Sequence, residues 1–280
     1  MLKKITQGIY LLDHERETDR PSLGLIVGDK GSMVVDSGNS PKHGEEFLKE
    51  AEKVTKGPIK YLGITHCHWD HIMGIERMKI PSVGSEKTQE RLKDMGSWKW
   101  DDASLEKQKK AGRFNDFMIQ AIKGEMAEKE RRDFRVTPLD IIFQGKITFN
   151  LGNITCKLLA IDGPHSEDTT LIYVPERKVL FLGDAIYVSE KNGKYGYDRK
   201  KLFDLIEAIR SLDVVYYIVS HEPVLSQREM EEFFQELERA SRAAGSETSM
   251  KEGEKQFKKI FNREPKKDEL FYIECFCNWN

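Results

Sequence analysis

Hydrophobic positions along this chain form short runs with two different periods. Gly8 to Asp13, Leu23 to Val27, Ser32 to Val35, Ile59 to Thr65, Ile147 to Leu151, Thr155 to Ile161, Leu171 to Val174, Val179 to Leu182 and Val214 to Val219 have the length and branched or apolar content of strands. Gly28-Asp29-Lys30-Gly31, Gly152-Asn153 and Pro175-Glu176-Arg177 each separate two such runs and predict hairpins. Helical spacing predicts helices over Tyr197 to Leu212, Gln227 to Ala244 and Lys251 to Phe261. A further helix opens at Ser40-Pro41, serine as cap and proline in the first turn, and runs to about Val54 with His43 on its wet face. Leu270 to Phe276 reads as a terminal strand or extended arm.

Two stretches break the strand pattern. His14 to Ser22 is a charged loop, in which His14 is read as solvated. From about 85 to 135 the chain is long and highly charged, and Phe114, Phe117, Met118, Ala121, Ile122 and Met126 form one apolar stripe at helical spacing. That stripe packs the insertion onto the domain, or it makes a lid or a dimer surface with Trp98 and Trp100 as aromatic walls. The expected organisation is one catalytic domain over 1–245, including this insertion, and a C-terminal extension over 246–280 after a linker at Gly245 to Ser249.

Composition narrows the partners. Lysine plus arginine number 45 against 47 acidic residues, a formal net charge of -2, and acidic and basic residues alternate in the insertion and tail. No nucleic-acid partner or polybasic membrane contact is therefore expected. The start, Met1-Leu2-Lys3-Lys4-Ile5-Thr6-Gln7-Gly8, lacks the unbroken apolar segment of a signal peptide, and no run is long enough to span a bilayer. Four cysteines at 67, 156, 275 and 277 make no recognisable disulfide framework. A cytoplasmic protein acting on a small molecule follows as the expectation, with self-association through the insertion or tail left open.

The chemistry concentrates in Thr65-His66-Cys67-His68-Trp69-Asp70-His71, where an apolar run ends in three histidines and an aspartate. His66 and His68, two apart in an extended turn, can point the same way while Cys67 points elsewhere. The start of a helix carries Asp70 and His71 toward a second point, so one metal could not easily use all four. This HxHxDH spacing resembles the signature of the metallo-β-lactamase superfamily. Three further candidates follow in family order, each after an apolar run: His165 in Gly163-Pro164-His165-Ser166, Asp184 in Phe181-Leu182-Gly183-Asp184, and His221 in Val219-Ser220-His221-Glu222.

The resemblance implies an α+β fold, a four-layer αββα sandwich with a helical insertion after the HxHxDH motif and a C-terminal extension. It also implies two divalent metal ions. One would take His66, His68 and His165, the other Asp70, His71 and His221, with Asp184 bridging them. Val34-Val35-Asp36-Ser37-Gly38 matches a family motif that makes Asp36 a buried support for the ligands. Tyr187, three residues past Asp184, has the offset of a substrate-binding tyrosine in the related N-acyl homoserine lactone lactonases. Asp70 would orient the nucleophile as well as bind metal. Pro164 stands where many members place glycine, which weakens transfer of any one subfamily's substrate; Asp168 is read as a brace of that loop.

Two dications close together lower the pKa of a shared water, so hydroxide becomes available near neutral pH. A hydrolase of an ester, thioester, lactone or related small-molecule bond is the expected function, with zinc preferred and iron or manganese accepted by the same donors. Competing readings are a mononuclear iron sulfur dioxygenase on the same fold, a phosphodiesterase or nuclease, and a scaffold that kept the fold and lost the chemistry. The full second ligand set counts against the dioxygenase.

Overall fold

The computed structural model describes residues 1–191 and 193–280. A first sheet holds β1 (Lys3–Thr6), β2 (Ile9–Leu12), β3 (Leu23–Gly28), β4 (Gly31–Val35), β5 (Ile59–Gly63), β6 (Ser82–Ser85) and β7 (Ile141–Phe143), in that order. It begins as an antiparallel meander and becomes parallel from β4 onward. The second sheet comprises β8 (Lys146–Asn150), β9 (Thr155–Ala160), β10 (Thr170–Val174), β11 (Val179–Gly183), β14 (Tyr216–Val219) and β15 (Leu225–Ser226). A separate hairpin, β12 (Ser189–Lys191) with β13 (Lys194–Gly196), lies between β11 and β14 in the chain.

Side-chain alternation turns these sheets into layers. Successive residues of a strand face opposite sides. On β4, Met33 and Val35 join the core between the sheets while Val34 faces the helices; on β10, Ile172 and Val174 do the former and Leu171 and Tyr173 the latter. Three apolar cores result, one between the sheets and one outside each, which is the αββα order. Outside the first sheet lie α1 (Pro41–Ala51), the short α2 (Trp69–Ile72) and α3 (Ile75–Met78), and the insertion helices α4 (Glu86–Met95), α5 (Asp102–Lys110), α6 (Asp116–Glu125) and α7 (Glu128–Asp133). Outside the second lie α8 (Arg199–Arg210), α9 (Gln227–Ala244), α10 (Met250–Phe261) and α11 (Lys267–Cys277).

Three expectations need correction. Leu270 to Phe276 is helical: Ile273, Phe276 and Cys277 form an inward stripe on α11, with the second sheet's outer core, and tertiary burial overrides the strand-like composition. His43 is buried, because it stands four residues before Phe47 and eight before Ala51 on the inward face of α1. Burial, then the nearby Arg20, lowers its pKa to about 3 and keeps it neutral. Trp100 is no cavity wall; it packs inside the insertion against Phe114 and Phe134, ring centroids 5.8 and 5.7 Å away.

Glu269 secures the terminal helices. Its buried carboxylate accepts from Arg239 Nε at 2.7 Å, from both Arg263 terminal nitrogens at 2.6 and 2.7 Å, and from the Lys266 amide at 2.9 Å. Burial opposes ionisation, but Arg263, the Lys266 amide and Arg239 outweigh it and hold the carboxyl at about 2, below its ordinary 4.5. A depressed carboxyl contributes stability that is complete above the unfolded value and lost as pH falls through the folded one. Thermal melts from about pH 5 to pH 2 should therefore decline less steeply for Glu269→Gln than for the parent; equal slopes would remove Glu269 from the acid response.

Candidate metal centre

The seven donors follow the C-terminal ends of strands from both sheets. His66, His68, Asp70 and His71 follow β5, His165 follows β9, Asp184 follows β11 and His221 follows β14. The sheets meet closely here: the Thr170 amide donates to Thr65 O at 2.7 Å. Gly183, at φ +56°, lies so near Thr65 that a Cβ would come 2.6 Å from its hydroxyl oxygen, so glycine is required where the backbone delivers Asp184.

Local geometry sorts the ligand turn as its spacing suggests. The Cys67 amide donates to Asp168 Oδ2 at 2.8 Å and its thiol lies 3.6 Å from Oδ1, while His66 and His68 turn toward the donors. Burial, reinforced by Asp168, pushes the Cys67 thiol well up and leaves it a neutral packing group. Asp168 thus braces this loop as well as Ser166, whose hydroxyl donates to the same carboxylate.

Two clusters emerge, His66 with His68, His165 and Asp184, and Asp70 with His71, His221 and Asp184; the donor atoms within each lie within 4.8 Å of one another. Asp184 Oδ2 stands 3.8 Å from His66 Nε2, 3.7 Å from His165 Nε2, 3.5 Å from His71 Nε2 and 3.7 Å from His221 Nε2. One carboxylate oxygen thereby faces nitrogens of both clusters. Ligands about 2.1 Å from a tetrahedral cation are roughly 3.4 Å apart, close to these spacings.

The donors are poorly satisfied without a cation. His66 Nε2, His71 Nε2 and Asp184 Oδ1 are buried and have no hydrogen-bond partner. His71 donates through Nδ1 to Asp36 Oδ2 at 2.8 Å, and its Nε2 then faces Asp70 Oδ2 at 3.1 Å without hydrogen-bond geometry. A neutral His71 would set its Nε2 lone pair against two carboxylates, which is unfavourable unless a proton or a cation lies between them. His165 likewise donates through Nδ1 to Val188 O at 2.9 Å, which directs Nε2 to the cluster. Both four-donor groups fit a divalent cation.

Charge follows position. Burial and the neighbouring imidazoles push His66 well below its ordinary pKa and bring His68 to about 4, so both present neutral nitrogens. Burial also opposes charge on His221 and His71, but Asp184 and Asp70 prevail, raising His221 to about 9 and His71 well above its ordinary value. Those histidines in turn overcome the burial of Asp70 and Asp184 and keep both carboxyls far below the usual range, hence ionised.

The supports of the ligands are themselves buried. Asp36, at φ +60°, accepts from the Thr65 amide and hydroxyl and from His71, each at 2.8 Å. Tyr187 lies between His165 and His221, ring centroids 6.1 and 6.2 Å away, and its hydroxyl has no partner. Burial, reinforced by Asp184, raises that phenol well above its ordinary value, so it stays a donor.

A cavity of about 1150 Å³ opens over the donors. Its walls include residues that sequence reasoning missed: Asp19, Arg16 and Glu222 on one side, Arg91 and Asp94 on α4. Asp19 Oδ1 is 3.6 Å from His221 Nδ1. Its φ of +57° has no signature in the sequence beyond the tolerance of aspartate for that region. His14 does not reach the cavity, whereas Trp98, Phe117 and Met118 of the insertion do. Glu125 at the end of α6 fastens the insertion beside the site, accepting from Arg20 at 2.7 and 2.9 Å, Thr18 at 2.7 Å and the α1 cap Ser40 at 2.9 Å.

Known proteins resemble this chain. The chain matches the family model described as metallo-beta-lactamase superfamily over residues 18–221, which brackets all seven donors short of none. Two curated relatives, the acyl-coenzyme A thioesterase MBLAC2 of Gallus gallus and of Homo sapiens, are 21% and 22% identical over 66% of this chain. The chain spans just under two thirds of their length, 65% and 66% respectively. Among solved structures, a metallo-beta-lactamase from Pontibacter korlensis aligns with a TM-score of 0.59 at 19% identity, covering 84% of this chain and 97% of that one. The sec-alkylsulfatase Pisa1 from Pseudomonas sp. aligns at 0.63 and 14% identity, covering 85% and 41%. Since the match to the family model covers well over half of the chain and includes every donor of both clusters, the chain belongs to the metallo-beta-lactamase superfamily.

Proposed function

We propose that this protein is a metal-dependent hydrolase of acyl thioesters, with coenzyme A thioesters as its substrates. The observation that carries the reading is Asp184, one oxygen of which faces two nitrogens from each cluster at the base of a large cavity. The printed activity of the two MBLAC2 relatives supports the thioester over the other bonds this chemistry can cut.

His66, His68 and His165 would hold one cation, Asp70, His71 and His221 the other, with Asp184 shared. Three imidazoles with one carboxylate in the first set, and two of each in the second, suit zinc, and iron and manganese accept the same donors. Bound divalent cations supply an acidified water and polarisation of the scissile carbonyl. In the net reaction water oxygen bonds to the carbonyl carbon, the carbon–sulfur bond breaks, and a proton from water ends on the thiolate.

The chain's own groups do the rest. Asp70 Oδ2 lies 3.1 Å from both His221 Nε2 and His71 Nε2, so these three donors converge on one point. Tyr187, protonated and unpartnered, donates to the carbonyl oxygen as charge develops there. Tyr187→Phe should lower kcat about 10- to 100-fold while leaving KM nearly as it was, the expected loss of one transition-state hydrogen bond. A rise in KM alone would make the phenol a substrate anchor.

The four cysteines are all unpaired, which supports a reducing compartment such as the cytoplasm. Among the described residues no helix is long and apolar enough to cross a membrane. Metal analysis of untagged protein tests the reading together with an acyl-CoA assay. About two zinc ions per chain with thioester hydrolysis are expected. One iron per chain with oxygen consumption, or cleavage confined to phosphodiesters, would replace it.

A further inference from the structure

The cavity is larger than hydrolysis at the donor cluster needs, and its outer half is built by the insertion. Pockets for drug-sized ligands span about 300 to 1,000 Å³, so a cavity of about 1150 Å³ has room for a substrate with two long arms. Two surfaces of different chemistry line that outer half.

One is apolar. Phe117 is 52% exposed although it sits on α6, whose Ile119, Ala121 and Ile122 are buried in the core. It faces the cavity beside Met118, a flexible side chain suited to chains of varied length. The other is cationic and aromatic. The Arg113 guanidinium stacks 5.3 Å from the Trp98 ring centre and donates to Gln108 at 2.8 Å. Arg113 has no carboxylate within 4.0 Å among the described residues. The other two arginines of the cavity, Arg91 and Arg16, reach carboxylates at 3.8 to 3.9 Å. Asp94 and Glu222 also face the cavity, so the unpaired cation is local to Arg113.

We propose that the insertion sorts the two arms of the substrate: Trp98 and Arg113 bind a phosphate-bearing nucleotide arm, and Phe117 and Met118 bind the apolar acyl arm. The assignment rests on the thioesterase reading for the identity of the arms. An indole face stacked on one side by a guanidinium suits a purine and an adjoining phosphate together, as neither a lone carboxylate nor an alkyl chain would require.

Steady-state kinetics on the metal-loaded protein separate the arms. Arg113→Gln should raise KM for acyl-CoA about tenfold, with kcat moving less than KM, and should raise KM less than about twofold for the same acyl group on N-acetylcysteamine, which lacks the nucleotide. A double variant, Phe117→Ser with Met118→Ser, should flatten the preference for acyl-chain length on both thiols. Calorimetric titration with dodecyl phosphate gives a readout without turnover, with about tenfold weaker binding expected for either variant.

If thioesters are hydrolysed but Arg113→Gln affects both thiols alike, the arm assignment falls and the thioesterase reading stands. If no thioester is cut yet dodecyl phosphate binds with both dependences, the reaction falls and the two surfaces remain binding surfaces for an anionic amphiphile. If the variants are silent in both assays, the proposal is overturned.

Discussion

Asp184→Asn is expected to lower the proposed thioester turnover by about 10³-fold or more, several kilocalories per mole of lost catalysis. The substitution keeps the shape of the side chain and removes the one charge that faces both clusters, at 3.5 to 3.8 Å from four histidine nitrogens. Bound metal should fall below that of the parent in the same preparation, with far-ultraviolet circular dichroism unchanged. Retained turnover with full metal content would end the bridging role of Asp184.

Asp36→Ala has the second large effect, and it acts from behind the donors. The change strands three buried donors, the Thr65 amide, the Thr65 hydroxyl and His71 Nδ1, each now satisfied at 2.8 Å. Loss of a hydrogen-bonded support of a metal-binding histidine costs about 10- to 100-fold in metal affinity. Each stranded donor also costs about 1 to 3 kcal/mol before relaxation. Metal titration and thermal melting should therefore both report the variant, and it should lose metal before it loses turnover per bound metal. A melting temperature and affinity equal to the parent's would make Asp36 dispensable.

What could be read in advance was whatever carries its own local signal. HxHxDH compresses four donors into one turn, and apolar runs of strand length place the strands that lead to His165, Asp184 and His221. The sandwich itself came from the family resemblance, since no local pattern says which sheet β7 or β8 joins. His43 and Leu270 to Phe276 were misread because a polar residue on an inward face, or an apolar run without clear period, is decided by what packs on it. Asp19, Arg16 and Arg113 escaped for another reason. They belong to loops or helix ends whose direction depends on remote anchors, such as Glu125 binding Arg20 from 105 residues away.

The division of the donors between the sheets has a consequence beyond chemistry. Four donors hang from β5 and three from β9, β11 and β14, so neither half of the sandwich owns a complete cluster. A cation that needs both halves binds the native chain and not the unfolded one, and at 100 times its dissociation constant contributes about 2.7 kcal/mol per site. Persistence of the protein against proteolysis would then follow the free metal level of its surroundings, so that starvation for metal thins the population of the enzyme as well as silencing each copy.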